Sequence, residues 1–361
     1  MEEKKIYIYT NSYGTIIHDK NKNTLLGFGN THIEQIQNKL NIINIKKIEC
    51  GKNHFLFLLE NNILNIVGYY SYIMNGDNIK EHIKTPKKIT YFSDLKDINF
   101  GILQKNIKNI YCSSTTSYVL LEDFSLYGFG EDIGHNNLNI IPILITLPNN
   151  EKIKQIYSSS LVPKIIIATE NNKFYFFYKN KFEIIKKDIN SSSIKSLHLI
   201  TAYHFITIKD EFNELIHYYD DEYYYWRKIM EGHSPWGLYD HAPNRKNLGG
   251  YVKKIINNNG VEHEKTFYLT TKGLYMARTL NNKLNIEERN KLKNFFINNI
   301  DDNLIYFDYF DDKKIIDFVA SDNHILVLTK NGEVYGWGTI KFLKVNETDI
   351  KKMSKPFLIY K

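Results

Sequence analysis

The chain has 361 residues but few cysteines, arginines or prolines. Cys50 and Cys112 are its only thiols. Two thiols cannot make a disulfide framework for a chain this long, and they form no CxxC metal pair, so a reducing compartment is expected. Arginine occurs only at 227, 245, 278 and 289, although Lys and Arg together number 47. That scarcity argues against an Arg-rich nucleic-acid face; phosphate contacts from dispersed lysines need no motif and remain open. No run of five lysines exists, which excludes a polybasic tail, and the net charge of +7 reads as a solvated surface. No apolar run approaches the ~18 residues of a spanning helix. The start, MEEKKIYIYT, has neither an apolar signal core nor transit-peptide character. The expectation is an intracellular protein, nuclear or cytoplasmic, with no membrane partner. A Gly-rich phosphate loop, a nucleophile elbow and a zinc signature are all missing, so no catalytic, cofactor-binding or metal residue is assigned, and no cofactor is expected.

What the chain does have is a repeat. Residues 45–68, IKKIECGKNHFLFLLENNILNIVG, align without a gap on 107–130, IKNIYCSSTTSYVLLEDFSLYGFG, and on 315–338, IIDFVASDNHILVLTKNGEVYGWG. Cys50 falls on Cys112, His54 on His324, and Gly68 on Gly130 and Gly338. Weaker copies occupy 153–177, 194–217 and 252–276, and residues 7–29 keep the last half of the pattern. Seven copies result, beginning near 5, 45, 107, 153, 194, 252 and 314. In each, short apolar runs rich in β-branched and aromatic residues alternate with Asn, Gly and Asp turns, the mark of hairpin strands. A fourth strand is suggested by TPKKITYF (85–92), IPILITL (141–147) and KPFLIY (356–360). The proline in or beside each suits an outer edge, where no N–H is needed. Seven four-stranded units predict an all-β, seven-bladed β-propeller occupying 1–361 as one domain, monomeric, with KPFLIY closing the first blade beside the N-terminal strands.

Cys50-Gly51-x-x-His54, and His324, Asn331-Gly332 and Tyr335-Gly336-Trp337-Gly338 in the last copy, resemble the regulator-of-chromosome-condensation family. LYGFG (126–130) and LLGFG (25–29) are variants of the same ending. The family's Gly-Gln-Leu-Gly continuation is missing from every copy. The resemblance implies a seven-bladed propeller in which His54, His324, Gly68, Gly130 and Gly338 are structural. It also implies one of three roles: guanine-nucleotide exchange on a small GTPase, chromatin binding, or protein interaction.

One segment breaks the rhythm. Residues 218–251 lie between the fifth and sixth copies and hold Trp226, Arg227, His233, Trp236, Tyr239 and Arg245. Aromatics and Arg dominate binding hot spots, and long loops on rigid scaffolds carry function. The segment reads either as a partner-binding arm or as a decoration packing its tryptophans onto a blade. His233, Asp240 and His241 match no metal-site spacing. Asp220, Asp221 and Glu222, and Asp301, Asp302, Asp311 and Asp312, read as solvated loop charge rather than paired acid–base groups. Cys50 and Cys112 read as buried small apolar residues in separate blades, with no disulfide between them. The sequence thus points to a non-enzymatic interaction scaffold with a protein partner. The alternatives are an exchange factor for a Ran-like small GTPase, a chromatin- or nucleic-acid-associated protein, and a subunit of a larger assembly.

Overall fold

The structure is a computed structural model that describes residues 5–12, 14–29, 36, 40, 44–68, 83–89, 106–130, 133, 139–160, 162–185, 194–201, 204–209, 215–219, 252–260, 263–278, 304–339, 343 and 352–361. These form two compact units: residues 1–191 with 344–347, and 192–343 with 348–361. Every sheet is antiparallel, and successive strands in the chain are neighbours in the sheet.

The first unit holds four sheets. They are β1 (Ile6–Asn11), β2 (Gly14–Asp19), β3 (Thr24–Gly29); β4 (Ile45–Cys50), β5 (His54–Leu59), β6 (Leu64–Gly68), β7 (Ile83–Lys88); β8 (Ile107–Cys112), β9 (Thr116–Leu121), β10 (Leu126–Gly130), β11 (Asn139–Ile145); and β12 (Ile153–Ser159), β13 (Val162–Thr169), β14 (Phe174–Tyr178), β15 (Lys181–Ile184). The second unit holds three: β16 (Ile194–Thr201), β17 (His204–Lys209), β18 (Leu215–Tyr219); β19 (Val252–Gly260), β20 (His263–Thr270), β21 (Leu274–Arg278), β22 (Leu304–Tyr306); and β23 (Ile315–Ala320), β24 (His324–Thr329), β25 (Val334–Thr339), β26 (Lys352–Tyr360). Each of the seven sheets starts at or beside a repeat start read from the sequence. Among the proline-bearing strands, β13, which carries Pro163, is an interior strand whose pairing slips beside that proline, while β7, β11 and β26 lie at sheet edges.

The last of these corrects the sequence reading. β26 pairs with β25, Tyr335 opposite Leu358 and Gly336 opposite Phe357, so the C-terminal strand completes the sheet of β23–β25 and not that of the N-terminal strands. The pairing is local: a short connection brings β26 back along the strand just before it, which costs less loop entropy than a partner from the far end of the chain.

The second strands β2, β5, β9 and β24 are buried throughout. All six residues of β5, HFLFLL, lie inside, as do all six of β9 and β24. Alternation explains how one strand serves two neighbours, because successive side chains leave opposite faces. Phe55, Phe57 and Leu59 pack with Ile16 and Leu25 of the first sheet, while Leu56 and Leu58 pack with Ile107, Val119 and Leu121 of the third. β9 repeats the arrangement, turning Tyr118 and Leu120 toward Ile165 and Ile167 of the fourth sheet. In the second unit Phe267, Leu269 and Leu274 pack on Phe318, Val327 and Trp337. Burying such apolar side chains contributes about 1.5–3 kcal/mol each, so the cores between successive sheets hold each unit together.

Candidate protein-docking surfaces

Three devices recur from sheet to sheet and determine which groups are left for a partner. The first is a bulge. The register of the first strand slips at Ile45/Lys47, Ile107/Asn109, Ile153/Gln155, Ile194/Ser196, Val252/Lys254 and Ile315/Asp317. A bulge re-aims the side chain beside it. At two of these bulges the third residue of the strand, Lys47 or Lys254, reaches sideways to the next sheet. Lys47 Nζ reaches Asn109 Oδ1 at 2.7 Å and Ile110 O at 3.1 Å, and also pairs with Glu49 at 2.8 Å. Lys254 repeats this in the second unit, with Asp317 Oδ1 and Phe318 O both at 2.8 Å. In each pair the receiving oxygen also accepts its own strand's next N–H, Ile110 at 3.0 Å and Phe318 at 2.8 Å.

The second device is the tight loop between first and second strands. Gly51 N donates to His54 O, Ser113 N to Thr116 O and Ser321 N to His324 O, leaving loops of two residues. In the first unit main-chain bonds tie these loops to one another. Ser12 N donates to Lys52 O (3.1 Å), Lys52 N to Ser114 O (2.7 Å) and Ser114 N to Val162 O (3.1 Å).

The third is the His–Gly crossing. His54 faces Gly68, and His324 faces Gly338. A Cβ on Gly68 would lie 2.5 Å from Asn53 O, and one on Gly130 2.4 Å from Thr115 O, so the closing glycines are steric requirements. Both imidazoles are buried, and burial lowers their pKa, His54 to about 4 and His324 to about 3. They stay neutral and bond as strand ties: His54 Nε2 lies 2.8 Å from Ser117 Oγ of the next sheet, and His324 Nδ1 lies 2.9 Å from Ser321 Oγ of its own loop. His198, pushed to about 4 by burial and then by Lys254, shares a 3.0 Å bond with Ser196 Oγ. His54, His324, Gly68, Gly130 and Gly338 all stand at such strand crossings.

The remaining candidates are placed as follows. Trp226, Arg227, His233, Trp236, Tyr239 and Arg245 lie outside the described residues, as do Asp220, Asp221, Glu222, Asp240, His241, Asp301 and Asp302. Asp311 and Asp312 are exposed but occupied: Asp311 accepts the Tyr306 hydroxyl, and Asp312 pairs with Lys313 at 2.7 Å. Burial, followed by the bond to Asp311, raises the Tyr306 pKa well above the usual phenol. Cys112 is buried, which pushes its thiol pKa up, while Cys50 is half-buried with Sγ 3.3 Å from Thr10 O; neither forms a disulfide. Among the described residues no group of three or more His, Cys, Asp or Glu is placed to hold a metal, and no helix is long and apolar enough to cross a membrane.

Among the described residues, the tips between second and third strands face solvent. Each begins with an exposed residue, Glu60, Glu122, Glu170 or Lys330, and turns through a residue of positive φ: Asn62 (+67°), Phe124 (+67°), Asn172 (+60°) or Gly332 (+82°). Beside them stand the exposed lysines Lys46, Lys108 and Lys154 of the first strands. Sequence reasoning passed over Phe124, although the gapless alignment sets it against Asn62 and Gly332, residues made for that conformation.

The model of the regulator of chromosome condensation (RCC1) repeat matches residues 315–339. No curated protein sequence matches the chain. Among solved structures, Prp20p from Saccharomyces cerevisiae, described with its binding to Gsp1p and histones, is similar at 13% identity with a TM-score of 0.59, over 88% of this chain and 77% of that one. Yeast RCC1 (Prp20) bound to Kap60 is similar at 14% identity and a TM-score of 0.56, over 88% and 75%. The ectodomain of the receptor kinase CR4 from Physcomitrella patens gives 11% identity and a TM-score of 0.52, over 93% and 73%. At such identities the likeness is one of fold. Residues 315–339 thus match an RCC1 repeat, and the described sheets are similar in fold to those of the propeller protein RCC1 (Prp20).

Proposed function

We propose that this protein is a non-catalytic interaction scaffold that holds a protein partner with loops at the ends of its sheets, led by the arm at 218–251 with Trp226, Arg227, His233, Trp236, Tyr239 and Arg245. The observation that supports this reading is where the polar chemistry goes. His54, His324, Lys47 and Lys254 are consumed in tying strands and neighbouring sheets together. The hairpin tips meanwhile stay exposed on a rigid frame, the arrangement in which loops carry recognition. Structures of similar fold bind proteins: Prp20p binds Gsp1p and histones, and Kap60 binds Prp20.

A second reading is nucleotide exchange on a Ran-like small GTPase, favoured by the fold likeness to Prp20p and its binding to Gsp1p. Exchange needs no covalent step. A loop that binds the nucleotide-free GTPase better than the loaded one lowers nucleotide affinity by linkage. Binding to chromatin, and residence in a larger assembly, rank behind both.

The test compares the intact protein with a variant lacking 226–247, as bait in native extract and in a release assay using a fluorescent guanine nucleotide on the recovered GTPase. Stable partners lost with the deletion, without accelerated release, support the scaffold. Release accelerated by the intact protein alone moves exchange to first place. Partners that survive the deletion remove the arm from the reading.

A further inference from the structure

Phe124 occupies a place where an aromatic residue is costly. It sits at the tip between β9 and β10, with φ of +67°. Its N–H donates to Leu121 O at 3.0 Å, and Leu121 N donates to Ser125 O at 2.9 Å, which fixes the turn. The matching tips carry Asn62, Asn172 and Gly332 in the same left-handed conformation. Asn and Gly enter that region readily, whereas a bulky side chain there is an outlier. The ring is not enclosed in a core: Phe124 is 39% exposed, while the phenylalanines in the buried strands are near zero. Its one aromatic contact is the Lys108 ammonium, 3.8 Å from the ring centroid. Strain of this kind gathers at binding sites, where the surrounding structure holds it in place.

The tip's charge points to the partner. Glu122 and Asp123, both exposed, immediately precede Phe124, and Glu60 and Glu170 begin the tips on either side. Lys108 lies over the Phe124 ring, apart in sequence from the two carboxylates, and the exposed Lys46 and Lys154 stand beside the neighbouring tips rather than this one. An exposed ring set behind two carboxylates fits an apolar pocket rimmed by lysine or arginine.

We propose that Phe124 is a partner-binding hot spot: an aromatic knob, flanked by Glu122 and Asp123, that inserts into an apolar pocket with a cationic rim on a partner protein. This rests on the scaffold reading and adds to it a specific contact outside the 218–251 arm.

The experiment joins stability to binding, using the full chain as wild type, F124N, E122A/D123A and the exposed-strand control L144S. If the ring serves recognition, F124N relieves the backbone strain and raises the melting temperature by about 2–4 °C. Proteins retained by wild type and by L144S from native extract are then purified and titrated. The expected result is at least a tenfold loss of affinity with F124N, and for E122A/D123A a loss that shrinks as salt rises. A lower melting temperature for F124N makes the ring a packing residue and overturns the proposal. Partners retained undiminished by F124N also overturn it, and leave the scaffold reading standing. If wild type retains no partner, the scaffold reading fails and takes the proposal with it.

Discussion

His324 and Gly338 face each other across β24 and β25 so closely that a Cβ on the glycine would lie 2.6 Å from the histidine's Cα and 2.3 Å from Asn323 O. Gly338 also has φ of +116°, which L side chains rarely adopt. Two residues earlier, a Cβ on Gly336 would press on side-chain ends, Ile359 Cδ1 at 2.3 Å and Leu343 Cδ2 at 2.8 Å, with the main-chain Ile325 O at an ordinary contact distance of 3.4 Å. Side-chain ends can move, whereas main chain at a strand crossing cannot. G338A is expected to cost about 1–3 kcal/mol from backbone strain alone, with the clash adding to it. G336A is expected to cost less. Denaturant midpoints of the two variants check the order, and a larger loss for G336A would contradict it.

Asn62 is expected to separate two roles of one side chain. Its left-handed backbone suits Asn or Gly, and its Oδ1 also accepts Ile107 N of the next sheet at 2.9 Å. N62G keeps the conformation and loses the tie, for about 1 kcal/mol. N62A loses both and should fall a further ~1 kcal/mol. Equal melting temperatures for the two would show that the turn tolerates a side chain there without strain.

The Lys254–Asp317 tie predicts a measurable coupling. The pair is half-buried, and Lys254 also bonds Phe318 O. A double-mutant cycle of K254A and D317A is expected to give about 1 kcal/mol. D317N should be milder than D317A, because an amide oxygen can still accept the Phe318 N–H. Additive losses would mean that the contact adds nothing beyond the two side chains taken separately.

Acid should loosen the fold before the carboxylates titrate. His54, His198 and His324 have folded pKa values of about 4, 4 and 3, against an ordinary 6.5. A depressed imidazole pKa means that the unfolded chain binds protons which the folded chain refuses. The stabilisation is therefore complete above pH 6.5 and is lost as pH falls from there toward 4. Each imidazole contributes a slope of at most ~1.4 kcal/mol per pH unit in that window. Denaturation midpoints measured between pH 7.5 and 5 should fall, and H54Q and H324Q should each flatten the fall. Unchanged slopes in both variants would remove the imidazoles as its cause.

The repeat was legible because its markers are steric. Cys50 and Cys112, or His54 and His324, stand in register where a strand meets a tight loop, and Gly68, Gly130 and Gly338 stand where the chain has no room for Cβ. Pro86, Pro142 and Pro356 disclosed edge strands through the N–H that they lack. The bulges were not legible, because IKKIEC reads as a plain apolar run, and nothing in its composition says that Lys47 will be turned toward Asn109. The fate of KPFLIY was misread for a different reason: an edge strand's composition says that it lacks a neighbour, not which neighbour it has. For the candidate site, the sequence marked loop residues from 218 to 251 by their type. Phe124 is marked only by backbone conformation, which appears once its repeat partners Asn62 and Gly332 are compared with it.

The loops at the Ser12, Lys52 and Ser114 end are joined by N–H to C=O bonds, and neither member of such a bond depends on what side chain the residue carries. At positions 12, 52 and 114 themselves, side chains can therefore change while these main-chain bonds stay in place. Proline is the exception, since at 12, 52 or 114 it would remove the donated hydrogen. Substitutions there can remake the surface offered to a partner while the frame beneath stays as it is. A scaffold whose seams are indifferent to sequence can drift far from its relatives in identity and still keep their fold.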